Sequence, residues 1–450
     1  MTTNRSASPK WAITLFTMGV FMAGLDNGII STALTTISDS FHVSAAWGAW
    51  TVTLYTLGIA ISTPVIGKLS DRYGRKRLFI IEIALFGIGS VLVALSPNFI
   101  FLLVARFIQA LGGGGIFIIG SSYILSTLPK ESQGKALGML GGMHGLSAVI
   151  GPNLGAVILG LTGSWQWMFL INIPIAIFLI IFGFLKLEET KAGTEKPLDI
   201  TGTLLLSISI LSFMYGITQL DSDSFVHSLL FIIVGLILFT LFIIHEKRVE
   251  KGDGDPILAF SLLSKLSFKL TLVLGLLSGG FLAGIIFIPA YVEQVLLVPV
   301  EQAGYWVTPM ALAAGVGAGL GGVLSDKIGP VKTVIIAGVI GVSGFGLFSF
   351  LVEGFLMFVV ASSLAGIGLG MLMGAPLNML AGASADESEK GTALGTVSLL
   401  RQIGLTIFPA LFAGLIAGSK SGYSQMFFAA MVLALLVLII GFYINRKKLI

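Results

Sequence analysis

Apolar runs separated by short charged or turn-rich breaks follow one another from one end of the chain to the other. Each run is long enough to cross a hydrocarbon core of about 30 Å as a helix, and no polar stretch is long enough to form a separate soluble domain. Cutting at the breaks predicts fourteen helices, at 12–36, 47–67, 78–96, 99–124, 135–162, 167–186, 200–220, 226–245, 268–293, 302–325, 333–351, 354–380, 390–418 and 424–445. The pattern defines an all-α polytopic membrane protein whose work is done in or across a bilayer.

Composition sharpens this picture. Of 450 residues, 55% are hydrophobic and 11% charged, with a mean hydropathy of +0.99, where soluble chains are roughly a quarter charged. The 58 glycines suit helices that approach closely or bend in lipid. The first run, Trp11 to Ile37, is longer than a signal peptide's apolar core and lacks a small-residue cleavage site, so it reads as a retained span behind a mature N-terminus. The absence of cysteine excludes disulfides, thiolate metal sites and cysteine catalysis. With the N-terminus in the cytoplasm, 23 of the 26 Lys and Arg fall in the tails and even-numbered loops; Lys420 alone lies outside, and Arg106 and Arg401 lie within spans. That bias is the positive-inside signature. It accounts for the net charge of +4 without nucleic acid, and an even count of spans returns Arg446, Lys447 and Lys448 to the cytoplasm.

Topology alone does not explain the loop between spans 2 and 3. GKLSDRYGRKR (Gly67 to Arg77) sets Gly67, Leu69, Asp71 and Gly74 at offsets that return as Gly322, Leu324, Asp326 and Gly329 in GVLSDKIGPVK, at a constant shift of 255 residues. A topology signal needs only charge. The same shift aligns span 2 with span 10, so the chain is two related halves of six spans with spans 7 and 8 inserted between them. Internal duplication of this kind builds secondary transporters, in which two bundles rock about a central site. Glycines let helix ends approach, and Asp71 is able to cap a helix or pair with an arginine, so the loop, with Arg72 and Arg75, reads as a cytoplasmic latch that makes contacts in one state and breaks them in the other.

The loop resembles the loop 2–3 signature of the major facilitator superfamily. LDNGIISTAL (Leu25 to Leu34), RFIQALGGGG (Arg106 to Gly115) and GPNLGA (Gly151 to Ala156) are similar to that superfamily's drug-exporter motifs, and WQWMFLINIP (Trp165 to Pro174) resembles the opening of span 6 in its fourteen-span drug:proton antiporters. Five motifs fall in order on the predicted spans, and the resemblance covers essentially the whole chain. The sequence departs from the family pattern at Gln166, where arginine is usual, at Ala110 and Ala156, where glycine is usual, and at Pro330, the counterpart of Arg75. The resemblance implies the major facilitator fold with both termini cytoplasmic: an N-terminal six-helix bundle (1–186), a linker (187–199), an inserted hairpin (200–245), a second linker (246–267) and a C-terminal six-helix bundle (268–450).

Ionisable groups within spans cost at least about 2.5 kcal/mol each on insertion scales, so each is a functional hypothesis. Asp26 lies about ten residues from the outer end of span 1, roughly 15 Å deep, and Arg106 enters span 4 from the same face at a compatible depth. In the fold that the resemblance implies, spans 1 and 4 both line a central cavity. Asp26 is then expected to take up a proton or engage a cationic substrate, with Arg106 tuning the exchange; a pair that only locks packing is the competing reading. Gln109, one turn from Arg106, is placed to bond a ligand or a neighbouring helix. His144, in span 5, is either an interhelical hydrogen-bonder or a second titrating group or ligand contact in the candidate cavity. Arg401 and its neighbour Gln402, in span 13, have no obvious acidic mate and join the candidate cavity. Glu82 is expected to reach the basic loop Arg75, Lys76 and Arg77, and Glu293 to sit at the outer rim. Gly151, Pro152 and Gly155 form the glycine-rich element that the resembling family associates with exchange of substrate for protons, and it is expected to seal against the other bundle. Spans 7 and 8 show no ionisable group in their predicted cores and are assigned a peripheral packing role.

The leading expectation is a proton-coupled efflux antiporter for lipophilic, cationic compounds, needing no cofactor but the coupling protons, working as a monomer in a bacterial plasma membrane. Its partners are lipid, protons and a small-molecule substrate. Export of a specific metabolite or anion is the alternative, favoured by Arg106 and Arg401. An enzyme would need a nucleophile with its base, or a metal cluster. His42, His144, His227 and His245 lie far apart in the sequence, and no HExxH or phosphate-binding GxxxxGK[ST] motif occurs. A passive receptor would not need duplicated gates.

Overall fold

Backbone polar groups find no water in hydrocarbon, so apolar segments of this length close their hydrogen bonds within helices. The computed structural model describes residues 9–190, 199–219, 225–252, 256–258, 260–298, 304–351, 354–417 and 421–449. Thirteen helices among them are long and apolar enough to cross a membrane, and a bent pair, Lys130–Ser147 with Ile150–Thr162, supplies a fourteenth span. No strand occurs among the described residues. Most of the 187–199 linker, and Lys420, lie outside them.

In chain order the spans are Pro9–Ser40 (span 1), Trp50–Tyr73 (2), Arg75–Ala94 (3), Phe99–Gly113 with Ile116–Thr127 (4), Lys130–Thr162 (5), Gln166–Leu170 with Asn172–Lys186 (6), Ile200–Thr218 (7) and Phe225–Lys251 (8). Leu266–Ile286 with Ile288–Gln294 (9), Thr308–Ile328 (10), Pro330–Phe350 (11), Phe355–Met373 with Pro376–Ser384 (12), Lys390–Ala417 (13) and Gly422–Lys447 (14) complete the series. Every predicted span is found, with three differences of substance. The charged stretch Gly67 to Arg77 is helical on both sides of Gly74, which alone makes the turn. Span 4 breaks at Gly114 and Gly115, and span 12 breaks before Pro376, which has no N–H to continue the ladder. Span 8 runs on to Lys251, so His245 and Glu246 lie inside a helix rather than at its end and in a linker.

The chain divides into two compact units. Unit 1 comprises residues 1–128, 146–195 and 387–395; unit 2 comprises 129–145, 196–386 and 396–450. In unit 1, Leu25, Ile29, Ala33, Leu102, Trp165 and Phe169 are buried together from spans 1, 4 and 6. In unit 2, Phe281, Tyr291, Phe345, Phe348, Phe358 and Phe427 form an aromatic core, with Phe348 stacked on Phe427 at 4.5 Å between centroids. Spans 7 and 8 pack on each other at Gly235, which lies against Phe213 of span 7. Much of the rest of span 8, including Leu229, Leu230, Leu236, Ile237 and Phe239, is exposed, as a lipid-facing helix requires.

Candidate functional site

Unit 1 buries a polar network in its interior. Arg106, fully buried, donates from Nη1 to Asp26 Oδ2 at 2.5 Å and to Gln109 Oε1 at 2.7 Å. Gln109 in turn donates from Nε2 to Asp26 Oδ1 and to Ser90 Oγ, both at 2.8 Å. Asn172 Nδ2 lies 3.5 Å from Asp26 Oδ1 and 3.3 Å from Ser90 Oγ. The guanidinium completes its surroundings with the Thr51 carbonyl, 3.4 Å from Nε, and with the Tyr55 ring, whose centroid is 4.1 Å away. Five spans therefore meet in a network around one buried carboxylate, both of whose oxygens accept hydrogen bonds.

Sequence reasoning placed Asp26, Arg106 and Gln109 here and the structure brings them together. It missed Ser90, Asn172, Thr51 and Tyr55. Asn172 had a readable signal, an amide in the run MFLINIPIAIF; a serine or a backbone carbonyl leaves none. Arg106 Nη2, Asn172 Oδ1 and Tyr55 Oη are buried without hydrogen-bond partners among the described residues, so the network has donors and acceptors in reserve.

The remaining candidates fall elsewhere. His144, Arg401 and Gln402 belong to unit 2. Arg401 is buried, with Nε 3.3 Å from Ser278 Oγ, and Nη2 has no hydrogen-bond partner among the described residues; neither does Gln402 Oε1. Arg401 is near enough to bring its charge to bear on His144. Glu82 does not reach the basic loop. Its carboxylate is buried and accepts from Gly115 N–H at 2.9 Å, capping the second half of span 4 where the glycines break it. Glu293 is exposed near the end of span 9. Gly151 and Gly155, expected to seal against the other bundle, pack instead on span 1 of their own unit. A Cβ at Gly151 would meet Gly28 Cα, and one at Gly155 would meet Thr32 Oγ1. The glycine-rich element is thus in contact with the helix that carries Asp26, two residues from it.

The two glycine turns share one geometry. Gly74 has φ 100° and ψ 145°, and Gly329 has φ 90° and ψ 155°, a backbone region essentially restricted to glycine. One turn before each, an aspartate binds two successive backbone amides of another helix. Asp71 accepts from Gly391 N–H at 3.0 Å and Thr392 N–H at 2.9 Å, at the start of span 13. Asp326 accepts from Gly134 N–H at 2.6 Å and Lys135 N–H at 2.7 Å, near the start of span 5. Asp71 sits where the free first-turn amides and the dipole of span 13 favour negative charge, while Asp326 meets span 5 one turn further in. Arg75 adds an ion pair to Asp71 at 3.3 Å and a bond to Ser122 Oγ at 2.8 Å; its counterpart is Pro330, so the second turn lacks this tie. Gly67 and Gly391 approach until a Cβ on either would strike the other's carbonyl, and Gly322 meets Gly134 in the same way.

A duplicated set of membrane helices, paired glycine turns and a buried charge network together define a membrane transporter. The chain belongs to the Major Facilitator Superfamily, whose model matches residues 16–296 and 270–449. It is 60% identical over 437 residues to the uncharacterized MFS-type transporter YfiU of Bacillus subtilis, covering 93% of this chain and 84% of that one. It is 31% identical over 417 residues to multidrug resistance protein 3 of the same organism, covering 91% and 80%. Among solved structures, it superposes on the proton:xylose symporter XylE with a TM-score of 0.69 at 14% identity over 97% of this chain and 95% of that one, and on the human organic anion transporter MFSD10 at 0.67 and 15% over 96% and 99%. It is a multi-pass protein of the bacterial plasma membrane and a transporter rather than an enzyme.

Proposed function

We infer that this transporter exports lipophilic, cationic compounds in exchange for protons, with Asp26 as the coupling carboxylate. The observation that carries the reading is the buried Asp26–Arg106–Gln109 network. An ionised carboxylate at that depth is tolerable only beside a cation; if Arg106 moves off, Asp26 must take a proton or a cationic substrate in its place. Arg106 has somewhere to go, because Tyr55 presents its ring face and Nη2 makes no hydrogen bond among the described residues. The contact of Gly151 and Gly155 with span 1 gives a route by which movement of span 5 alters the surroundings of Asp26. A proton entering across 100 mV supplies about 2.3 kcal/mol from the potential alone. The similarity to multidrug resistance protein 3 supports an amphipathic drug-like cargo.

A second reading, export of an anionic metabolite, rests on Arg401, whose buried Nη2 and neighbouring Gln402 Oε1 would receive an acidic group bearing a donor. One experiment separates the two. The protein is reconstituted in liposomes holding a pH dye, and lipophilic cations and organic anions are added in turn to wild type and Asp26→Asn. Cation-dependent proton movement that the variant loses is the expected result. Proton movement with anions only, lost in Arg401→Gln, would replace it with the second reading.

A further inference from the structure

The inserted hairpin carries a polar cluster that the transport chemistry above does not use. Asp199 caps span 7, its Oδ1 accepting from Gly202 N–H at 2.8 Å, and the same oxygen lies 2.9 Å from His245 Nε2 in span 8. Glu246, the next residue, is fully buried, and its Oε2 accepts from Leu258 N–H at 3.0 Å, in the segment that follows the hairpin. The Asp199 and Glu246 carboxyl groups are neighbours. They meet over Gly202, where an added Cβ would overlap an oxygen of each. Those oxygens, Asp199 Oδ2 and Glu246 Oε1, are buried and have no donor among the described residues.

Two ionised carboxylates have only acceptors to offer each other, and at this separation they repel; a single proton between them turns the repulsion into a hydrogen bond. Among the described residues, no cation competes for the place. Span 7 carries no charged residue, nor does 256–264. On span 8, Lys247 sits 5.2 Å from the Phe260 ring centroid, and Arg248 and Lys251 are exposed, while half-buried Glu250 would add only negative charge. Lys265 is engaged with the Ser384 carbonyl at 2.7 Å. That leaves His245, 28% exposed, as the group linking the pair to water.

We propose that Asp199 and Glu246 hold one exchangeable proton between them, that His245 loads and unloads it, and that this proton fastens the segment after the hairpin to the ends of spans 7 and 8. The site goes beyond the transport reading and is separate from the Asp26 network. Asp199 is the charged member. Burial pushes its carboxyl up, but the Gly202 amide, His245 and Glu246 more than reverse this and hold it below the usual carboxylate range. With the proton present, the entry to span 7, the end of span 8 and Leu258 form one hydrogen-bonded knot. When it leaves at high pH, a second negative charge is stranded beside the first, and the bond from Leu258 N–H to Glu246 is the tie that yields.

The test needs no transported compound, so its outcome is independent of the cargo. Full-length protein in liposomes is titrated with pH under infrared detection, and hydrogen exchange of the peptide spanning 256–264 is followed in parallel, corrected for intrinsic rates. Glu246→Gln keeps the acceptor for Leu258 N–H and offers an N–H to Asp199 Oδ2, so it imitates the loaded pair and retains the fold. Wild type should show the carbonyl band of one protonated carboxylic acid that Glu246→Gln lacks. Loss of that band at high pH should coincide with loss of Leu258 protection, which in Glu246→Gln should stay at its loaded level throughout. His245→Asn should keep the band but slow its response to a pH jump. An acid band unchanged in Glu246→Gln, or Leu258 protection that follows pH equally in both proteins, would overturn the proposal.

Discussion

Arg106 is fully buried, so truncating Asp26 leaves a cation with two ring faces, Tyr55 and Phe169, an amide oxygen and a backbone carbonyl among the described residues. Truncating Arg106 instead leaves a buried carboxylate held by two amides. Breaking such a pair from one side costs about 3–5 kcal/mol, whereas removing both charges together restores neutrality. Asp26→Asn and Arg106→Gln should therefore each lower the unfolding temperature in detergent, and the double variant should melt above either single one. Strictly additive losses would mean that the pair is not coupled as the geometry describes. Asn172→Ala removes a weaker, neutral tie and should cost about 1 kcal/mol, the ordinary net worth of a buried hydrogen bond. The charged members were legible in the sequence because a charge in an apolar run always needs an explanation. Ser90 and Thr51 were not, since neutral hydroxyls are common in spans and the Thr51 contact is made by its carbonyl.

The turns between spans pose a cleaner test, because one backbone conformation occurs in two settings. A side chain at either Gly74 or Gly329 would be strained by about 1–3 kcal/mol from its dihedral angles alone. At Gly329 an added Cβ meets nothing within 4 Å, while at Gly74 it would strike the Glu189 carboxylate, which caps span 3 through the N–H groups of Lys76 and Arg77 at 3.1 Å each. Gly74→Ala should therefore destabilise more than Gly329→Ala, measured by thermal unfolding of each; equal losses would show that the Glu189 cap contributes nothing. Asp71→Asn replaces one of two acceptors with a donor facing an N–H, so it should loosen the start of span 13 and reduce turnover in the liposome assay, and unchanged turnover would contradict the latch. Gly151→Leu should displace span 1 at Gly28 and abolish transport while the protein still inserts. The repeated aspartates and glycines were visible at a fixed spacing; their partners were not, because Gly391, Thr392, Gly134 and Lys135 take part through backbone amides. Glu82 was misassigned for the same reason: its partner is the Gly115 amide at a helix break that the apolar pattern conceals.

Across the whole molecule, orientation follows from charge. Fourteen spans and the confinement of 23 of 26 basic residues to the tails and alternate connections predict that both termini face the cytoplasm. The chain lacks cysteine, so single cysteines can be introduced one at a time into an otherwise unreactive background. A thiol reagent that does not cross membranes, applied to intact cells, should label a cysteine at His42, between spans 1 and 2, or at Tyr305, before span 10. It should label one at Lys332, one within 253–255 or one at Lys448 only after the membrane is opened. The positions test different things. Labelling of Lys332 from outside would break the correspondence between the two glycine turns, which requires spans 2 and 10 to end on the same side. Labelling of the 253–255 position from outside, with Lys448 protected, would mean that the inserted hairpin does not cross twice, and the Asp199–Glu246 cluster would then face the opposite compartment. Agreement at all five would fix the compartment whose pH His245 reads, and with it the direction in which a proton reaching Asp26 from outside is moving.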